Sequence, residues 1–364
     1  MPAPASSAPE ELIVGTYTER LPHVDGQAEG ILACTFADGA IGPVRVLAQT
    51  RNPSFVVLSA DGARLYAVNE TVDFEGRPGG GVTAFARDSG SDELSLLNSC
   101  SSGGVEPAHL ELDPSGRFLL VANYRSGSVA VFRLEDDGSI GPRTDFDQHE
   151  GSSVHPVRQT GPHAHMILFD PVTSDVLVPD LGLDAVLFYT LSDEGKLTEH
   201  PDRRIRTEPG AGPRHLAFHP DGAHLLLVNE LDNTVLALRR AGQGFEVTAV
   251  ASTLPAGFTG HSQAAAIRVS PSGRTVLVSN RGEDSDTIAL LRFDAGPGSL
   301  ELVDLVPSSG REPRELIFAG GGRYVIVADQ DTDALVVMEF SEDPPQLRQQ
   351  STAKVPTPVC LRIA

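Results

Sequence analysis

The chain has 364 residues, 40% of them hydrophobic and without a long polar tract, which sets it among globular rather than disordered chains. Lys and Arg number 28 against 49 Asp and Glu, a net charge of −21. No basic stripe is present to neutralise phosphates, so nucleic acid is excluded as a partner, and an anionic small molecule has to be met by a local group of Arg or His. Gly 36 and Pro 27 are high counts, as many short strands joined by tight turns require. Cys34, Cys100 and Cys360 are odd in number and far apart. They form neither a disulfide framework nor a close-spaced metal motif, and they fit a reducing, cytoplasmic setting. The first residues, MPAPASSAPEEL, lack the basic start and apolar core of a secretory signal, and 1–9 read as a flexible tail. No run of about 18 apolar residues predicts a membrane helix.

In chain order, EELIVGTYT from Glu10 reads as a second strand with nothing before it, and GILACTF from Gly30 as a third. A repeat then begins. NPSFVVLSADGARLYAVNE starts at Asn52, EPAHLELDPSGRFLLVANY at Glu106, GPHAHMILFDPVTSDVLVPDLG at Gly161 and GPRHLAFHPDGAHLLLVNE at Gly212. SQAAAIRVSPSGRTVLVSNRG follows at Ser262 and EPRELIFAGGGRYVIVADQ at Glu312. The leading residues Pro53, Pro107, Pro162, Pro213, Gln263 and Pro313 are separated by 54, 55, 51, 50 and 50 residues, a propeller or solenoid period.

Within the second copy, Ala108–Leu112 predicts strand one. Asp113-Pro114-Ser115-Gly116 is a tight turn, because Pro sets one φ and Gly takes the unusual one. Phe118–Ala122, an unbroken apolar run, predicts a strand buried on both faces. Ser128–Leu134 is strand three and a weaker fourth follows, so each copy is one four-stranded antiparallel propeller blade. No helix is expected. PTPVCLRIA, Pro356 to Ala364, reads as a strand one with nothing after it, and it completes a seventh blade with the N-terminal strands. The prediction is an all-β, seven-bladed propeller, one domain over 1–364, closed by its own termini.

Residues before strand one and after strand two lie on one face, near the axis; the Asp-Pro turns lie a strand length, roughly 17 Å, away. The long connections Glu19–Glu29, Thr71–Gly81, Thr144–Gly161 and Pro255–Ser262 emerge on that same face. Polar residues aimed into this funnel include His109, His163, His165, Arg214, His215 and Arg314 from strand-one entries. Strand-two exits supply Tyr17, Glu70, Tyr124, Asp180, Glu230, Arg281, Asp329 and Gln330. Such a set can clamp an anion through the planar Arg fork and move a proton through Glu or His. Each has a structural alternative: Glu230 as a strand cap, Arg214 and Arg281 in inter-blade ion pairs, His163 or His165 packed in the channel wall. On a strand the two histidines of PHAH share one side.

His149, His155, His163 and His165 fall within 17 residues, but no carboxylate or Cys completes a ligand set, and no metal or cofactor is expected. There is no Gly-x-Ser-x-Gly elbow for a serine nucleophile, and the glycines of RPGGGV from Arg77 form no phosphate cradle.

GTYT with its following loop and Gly-Ile, PHAH at Pro162, GPRH with its downstream Asn-Glu, and SNRG at Ser279 together resemble the lactonase-type seven-bladed propellers. That group includes bacterial propeller 6-phosphogluconolactonases and fungal 3-carboxy-cis,cis-muconate lactonising enzymes, and the resemblance runs from Glu11 to Ile363. It implies an active site of one His, two Arg and one Glu: His163 or His165, Arg214, Arg281 and Glu230. It also implies hydrolysis of a small anionic sugar lactone, above all 6-phosphogluconolactone, in the pentose phosphate pathway. Arg214 and Arg281 then hold phosphate or oxyanion, Glu230 serves as base, and a PHAH histidine orients substrate or shuttles the proton. The alternatives are a carboxymuconate cyclase and a non-catalytic, protein-binding propeller. Ala266 departs from the polar residue this family leads one to expect. A monomer is the expected state. Whether Thr71–Gly81 closes over the site is left open by the sequence.

Overall fold

A computed structural model describes residues 8–87 and 93–364. Residues 1–7, most of the expected tail, lie outside the described residues. Seven antiparallel sheets follow one another around a ring, and two short hairpins rise from it. In the second blade the strands are Pro107–Leu112, Phe118–Asn123, Ser128–Leu134 and Ile140–Gln148. The order is sequential from axis to rim. The expected Thr144–Gly161 connection is therefore shorter, since its first residues extend the outer strand. Among the described residues the only helical pieces are three-residue 3₁₀ turns, Pro201–Arg203, Gly320–Gly322 and Gln330–Thr332. No helix is long and apolar enough to cross a membrane.

The ring closes as the termini predict. Pro358–Ile363 is the inner strand of the seventh blade and pairs with Glu10–Thr16, which pairs with Gly30–Ala37, which pairs with Arg45–Gln49. Every edge that an open ring would expose near the axis is thereby paired.

The apolar runs explain the packing. All six residues of Phe118–Asn123 and of His224–Asn229 are buried. The core lies between blades: Leu226 and Val228 of the fourth pack with Ile267, Val276, Val278 and Ala289 of the fifth. In these second strands the polar residues, such as Asn123 and Asn229, stand at the ends. The Asp-Pro turns are structural, as expected. Asp113 accepts the amides of Phe118 at 2.6 Å and Ser115 at 3.0 Å, and Gly116 has φ 69°.

The third blade departs from the predicted register. Its inner strand is reduced to Leu168–Phe169, with one isolated bridge from Ala164 to Asp180. The cause is local. His165 donates its amide to Pro179 O at 3.0 Å, but Pro179 has no N–H to return to His165. The His163 amide goes instead to the Asp180 carboxylate at 2.7 Å. Ala164, not Pro162, therefore faces the end of strand two. The two histidines do not stand side by side on a regular strand.

Candidate active site

The inner strands begin with a shared irregularity. The residue before the leading position has positive φ: Asn52 41°, Glu106 49°, Gly212 69°, Glu312 56° and Thr357 40°. The ladder then skips. Pro213 faces Asn229 and His215 faces Val228, so Arg214 is the extra residue of a β-bulge. Ala108, Arg314 and Val359 are the extra residues in the second, sixth and seventh blades. A bulge bends the strand and re-aims its additional side chain. Here the re-aimed side chains meet at the axis: Ala108, Arg214, Arg314 and Val359, with His165 and His215, line a small chamber of about 20 Å³.

A second set of positions sits just after strand two. The amides of Glu70, Tyr124, Glu230 and Gln330 bond to the carbonyls of Asn52, Glu106, Gly212 and Glu312 at 3.0, 2.9, 2.7 and 3.0 Å. These bonds close each inner hairpin and hold the side chains over the bulge residues. The preceding position is a structural cap in most blades; Asn229 bonds Thr234, and Asn280 bonds the carbonyl of Thr253. Bulge and post-strand residues therefore form two tiers around a cavity of about 320 Å³. Glu70, Tyr124, His165, Glu230, Arg281 and Arg314 line it, with Ala108 and Gln263. His23, Glu106 and Arg158 reach it as well.

Glu230 is the hub. Its side chain is 1% exposed. One oxygen receives Arg158 Nη2 at 2.5 Å; the other receives Arg214 Nε at 2.9 Å and Arg281 Nη2 at 3.1 Å. Burial pushes its carboxyl up, but Arg158, Arg281 and Arg214 together hold it well below the usual carboxylate range. Arg214, fully buried, also donates to Ala265 O at 2.7 Å. Burial, and then Arg281, pull its guanidinium down to about 9, which leaves it charged at neutral pH. Arg158 also donates to the Tyr124 hydroxyl at 2.9 Å.

Sequence reasoning did not single out Arg158. It lies outside the repeat register, and its one signal is the long connection on the funnel face that carries it.

The two histidines separate. His165 is 6% exposed, lines both cavity and chamber, and meets the rings of Tyr124 and His215 edge-on at 5.2 and 5.1 Å. Burial and then Arg214 push it well below the usual histidine range, so it is neutral; its Nδ1 has no hydrogen-bond partner among the described residues. His163 stacks on Tyr124 at 4.9 Å with its Nδ1 3.1 Å from Tyr124 O, and it does not line the cavity. Across the cavity, Tyr17 donates to Glu70 at 2.8 Å and accepts from Arg314 Nη2 at 2.9 Å, while Ser54 donates to the other oxygen of Glu70. Ala266 is wholly buried and does not line the cavity.

The four clustered histidines of the sequence do not converge on a metal. His149 Nδ1 is 2.6 Å from Asp180, and His155 Nδ1 accepts the amide of Arg158 at 3.1 Å. Elsewhere, His219, Asp221 and His224 lie close together in a turn on the opposite face. There His219 is spent on hydrogen bonds: Nδ1 accepts the Asp221 amide at 3.2 Å, and Nε2 lies 3.2 Å from Gly273 O.

Known proteins share this architecture. A 6-phosphogluconolactonase of Bacillus subtilis is 36% identical over 96% of this chain and 97% of its own. The crystal structure of a putative 6-phosphogluconolactonase from Bacteroides fragilis superposes with a TM-score of 0.88 at 31% identity, over 98% of both chains. That of a periplasmic gluconolactonase from Pseudomonas aeruginosa does so at 0.89 and 34%, over 98% of this chain and 99% of that one. Residues 11–363 match the family model described as lactonase, 7-bladed beta-propeller, and the chain belongs to that family.

Proposed function

We propose that the protein hydrolyses a small anionic sugar lactone, 6-phosphogluconolactone to 6-phosphogluconate, in the funnel cavity. The observation that carries this reading is the cavity itself: Arg158, Arg281 and Arg314 and the neutral His165 imidazole line it with the buried Glu230 carboxylate, in a protein whose net charge is −21. The name of the Bacillus subtilis relative supports the substrate.

In this reading water attacks the lactone carbonyl carbon. His165, neutral and with an unpartnered nitrogen, takes the water proton, and the nearby Glu230 charge favours the imidazolium that forms. The tetrahedral oxyanion forms against Arg281 and Arg158, whose forks are already fixed. The bond from that carbon to the ring oxygen then breaks, and the ring oxygen takes the proton back from His165. The new carboxylic acid releases its proton to solvent. Glu230 acts as the anchor of the arginines. Both Glu230 oxygens are taken by guanidiniums, whereas His165 keeps a nitrogen without a partner among the described residues, so the proton transfer that the family resemblance suggests for Glu230 passes to His165.

The cyclase and protein-binding readings have less support. Among the described residues the exposed large apolar side chains are aliphatic, with no aromatic among them. The same proposal takes the chain as one domain and a monomer working in the cytoplasm. Size-exclusion chromatography and cell fractionation test those parts, the latter pointedly given the periplasmic relative. The central test is hydrolysis of freshly generated 6-phosphogluconolactone beside gluconolactone, with Arg214→Ala as control. A wild-type rate no better than the spontaneous one sinks the lactonase reading.

A further inference from the structure

The arginines around the cavity are not equivalent. Arg158, Arg214 and Arg281 each place a nitrogen within 3.1 Å of Glu230, and Arg281 also lies 3.7 Å from Glu312. Arg314 is different: among the described residues it has no carboxylate within 4.0 Å. Its Nη2 donates to the Tyr17 hydroxyl at 2.9 Å, and its Nη1 reaches Gln330 Oε1 only at 3.4 Å, at the weak end of hydrogen bonding.

The fork is nonetheless fixed. Arg314 is a bulge residue, so its backbone is set by the skipped register between Pro313 and Glu315. Its guanidinium lies over the Tyr17 ring, 5.3 Å from the centroid. Tyr17 is itself wholly buried, and its hydroxyl proton is committed to Glu70 at 2.8 Å. The hydroxyl can therefore meet Arg314 only with a lone pair. Glu70 is in turn occupied by Ser54. Tyr17 and Glu70 thus orient the Arg314 fork without pairing with its charge. Burial works against the guanidinium charge, but Tyr17, Glu70, Glu230 and Glu312 more than offset it, so Arg314 stays charged with no carboxylate in direct contact, and an incoming anion can take that contact. His23, on the neighbouring hairpin, packs edge-on to Tyr17 at 5.5 Å. Although that residue is exposed overall, burial of its ring against the wall and the charge of Arg314 lower its imidazole to about 4. It therefore adds no competing cation.

We propose that Arg314 is the specificity-determining residue that takes the phosphate of the substrate, and so sets the preference for a phosphorylated over a plain sugar lactone. The lactone carbonyl then lies toward Arg281 and Arg158, which line the same cavity. This inference rests on the lactonase reading for the substrate, and on the unpaired fork for the assignment. It moves the phosphate away from the arginines that are already in contact with Glu230. A dianion placed against those would meet the Glu230 charge at contact range, whereas among the described residues no carboxylate lies within 4.0 Å of Arg314.

The test is steady-state kinetics of wild type, Arg314→Gln and Arg314→Lys on 6-phosphogluconolactone and on gluconolactone. Calorimetric titration with inorganic phosphate and melting curves accompany the kinetics. A lost charge-assisted hydrogen-bond pair corresponds to a change of about 10–100-fold. The ratio of KM for the phosphorylated lactone to KM for the plain lactone therefore rises about 10–100-fold in Arg314→Gln. Arg314→Lys keeps the charge without the fork and falls between. Inorganic phosphate binds wild type and is lost from Arg314→Gln. Equal changes in both KM values, or an unchanged ratio in a folded variant, overturn the proposal. If wild type hydrolyses neither lactone, the lactonase reading fails, and phosphate titration alone decides the anion site: binding that survives Arg314→Gln refutes it.

Discussion

Replacing Glu230 by Gln removes one charge from the centre of three. Arg158 Nη2 stands 2.5 Å from one carboxylate oxygen, and Arg214 Nε and Arg281 Nη2 stand 2.9 and 3.1 Å from the other. At an effective dielectric of about 20, each attraction at about 4 Å between charge centres is worth about 4 kcal/mol. Burial of the charges and mutual repulsion of the guanidiniums offset most of the sum. The net loss on removing one partner of such a buried cluster is about 3–5 kcal/mol. At about 2 °C per kcal/mol for a large domain, that lowers Tm by about 6–10 °C.

The signature that separates an anchor from a base is rescue by anions. In Glu230→Gln three guanidiniums lack their counter-ion, so inorganic phosphate raises the variant's Tm more than that of wild type; at a hundredfold excess over Kd the gain is about 2.7 kcal/mol. The acid side carries a second signature. The folded carboxyl sits well below the usual range, while the unfolded one titrates near about 4.3. Its stabilisation is therefore present above about pH 4.3 and is lost as pH falls below it; Glu230→Gln lacks that component. Melting curves against pH and phosphate measure both. A variant that melts like wild type, gains nothing from phosphate, yet loses kcat about 10²–10⁴-fold at unchanged KM would refute the anchor role and restore Glu230 as the base.

Other outcomes follow from the same geometry. His165→Asn lowers kcat about 10²–10⁴-fold as loss of a proton-transfer group does, whereas His163→Asn costs about 1 kcal/mol of stability with kcat within a few-fold; parallel kinetics and melts distinguish them. His109, His165 and His215 are all pushed well below the usual histidine range by burial first. Below about pH 6.5 the unfolded chain thus binds protons the folded one refuses. Stability falls by up to about 1.4 kcal/mol per histidine per pH unit as pH drops, read by denaturant melts. Asp329 has the opposite sign: both its oxygens lack a partner among the described residues, and burial pushes it up to about 8. Its contribution is full below about pH 3.9 and is lost as pH rises toward 8, so Asp329→Asn is more stable than wild type at pH 8 by about 1–3 kcal/mol. A Cβ at Gly182 would lie 1.9 Å from Gly161 O and 2.9 Å from Pro162 Cα. Gly182→Ala must therefore shift the segment leading to His165, and it lowers kcat with little change in KM.

The blades were legible because their signals are local. Asp-Pro-Ser-Gly encodes a turn in four residues, and an unbroken run such as FLLVA encodes a strand between two packed neighbours. The closure was legible because each terminus held half of a familiar unit. That Arg214 and Arg281 meet Glu230 was legible in the sequence, but the register of the PHAH histidines was not. Aligning PHAH on Pro162 sets His163 level with Arg214; the structure sets His165 there, because Pro179 cannot return a backbone bond and Asp180 captures the His163 amide. That failure lies in one imino acid on the partner strand, which no periodicity within PHAH reports. Arg158 was illegible for another reason. Its place is fixed by Glu230 and Tyr124 from other blades, and nothing in its own stretch of chain encodes them.

These particulars point to how a propeller carries chemistry. In the second, fourth, sixth and seventh blades the bulge at the mouth of the inner strand places one side chain at the axis, and the residue after strand two stands just above it, largely regardless of residue type. The blades are then free to differ at those positions alone. Arg214 and Arg314 place charge at the bulge, and Ala108 and Val359 at the same position contribute room. The small residues matter to the cavity in this sense: a long side chain in place of Ala108 would take up part of the cavity that it lines with Tyr124 and Glu70. Ala108→Leu is thus expected to raise KM for both lactones together, whereas the loss at Arg314 falls on the phosphorylated lactone. The two effects are separable in one kinetic series, because one changes the volume of the cavity and the other its charge.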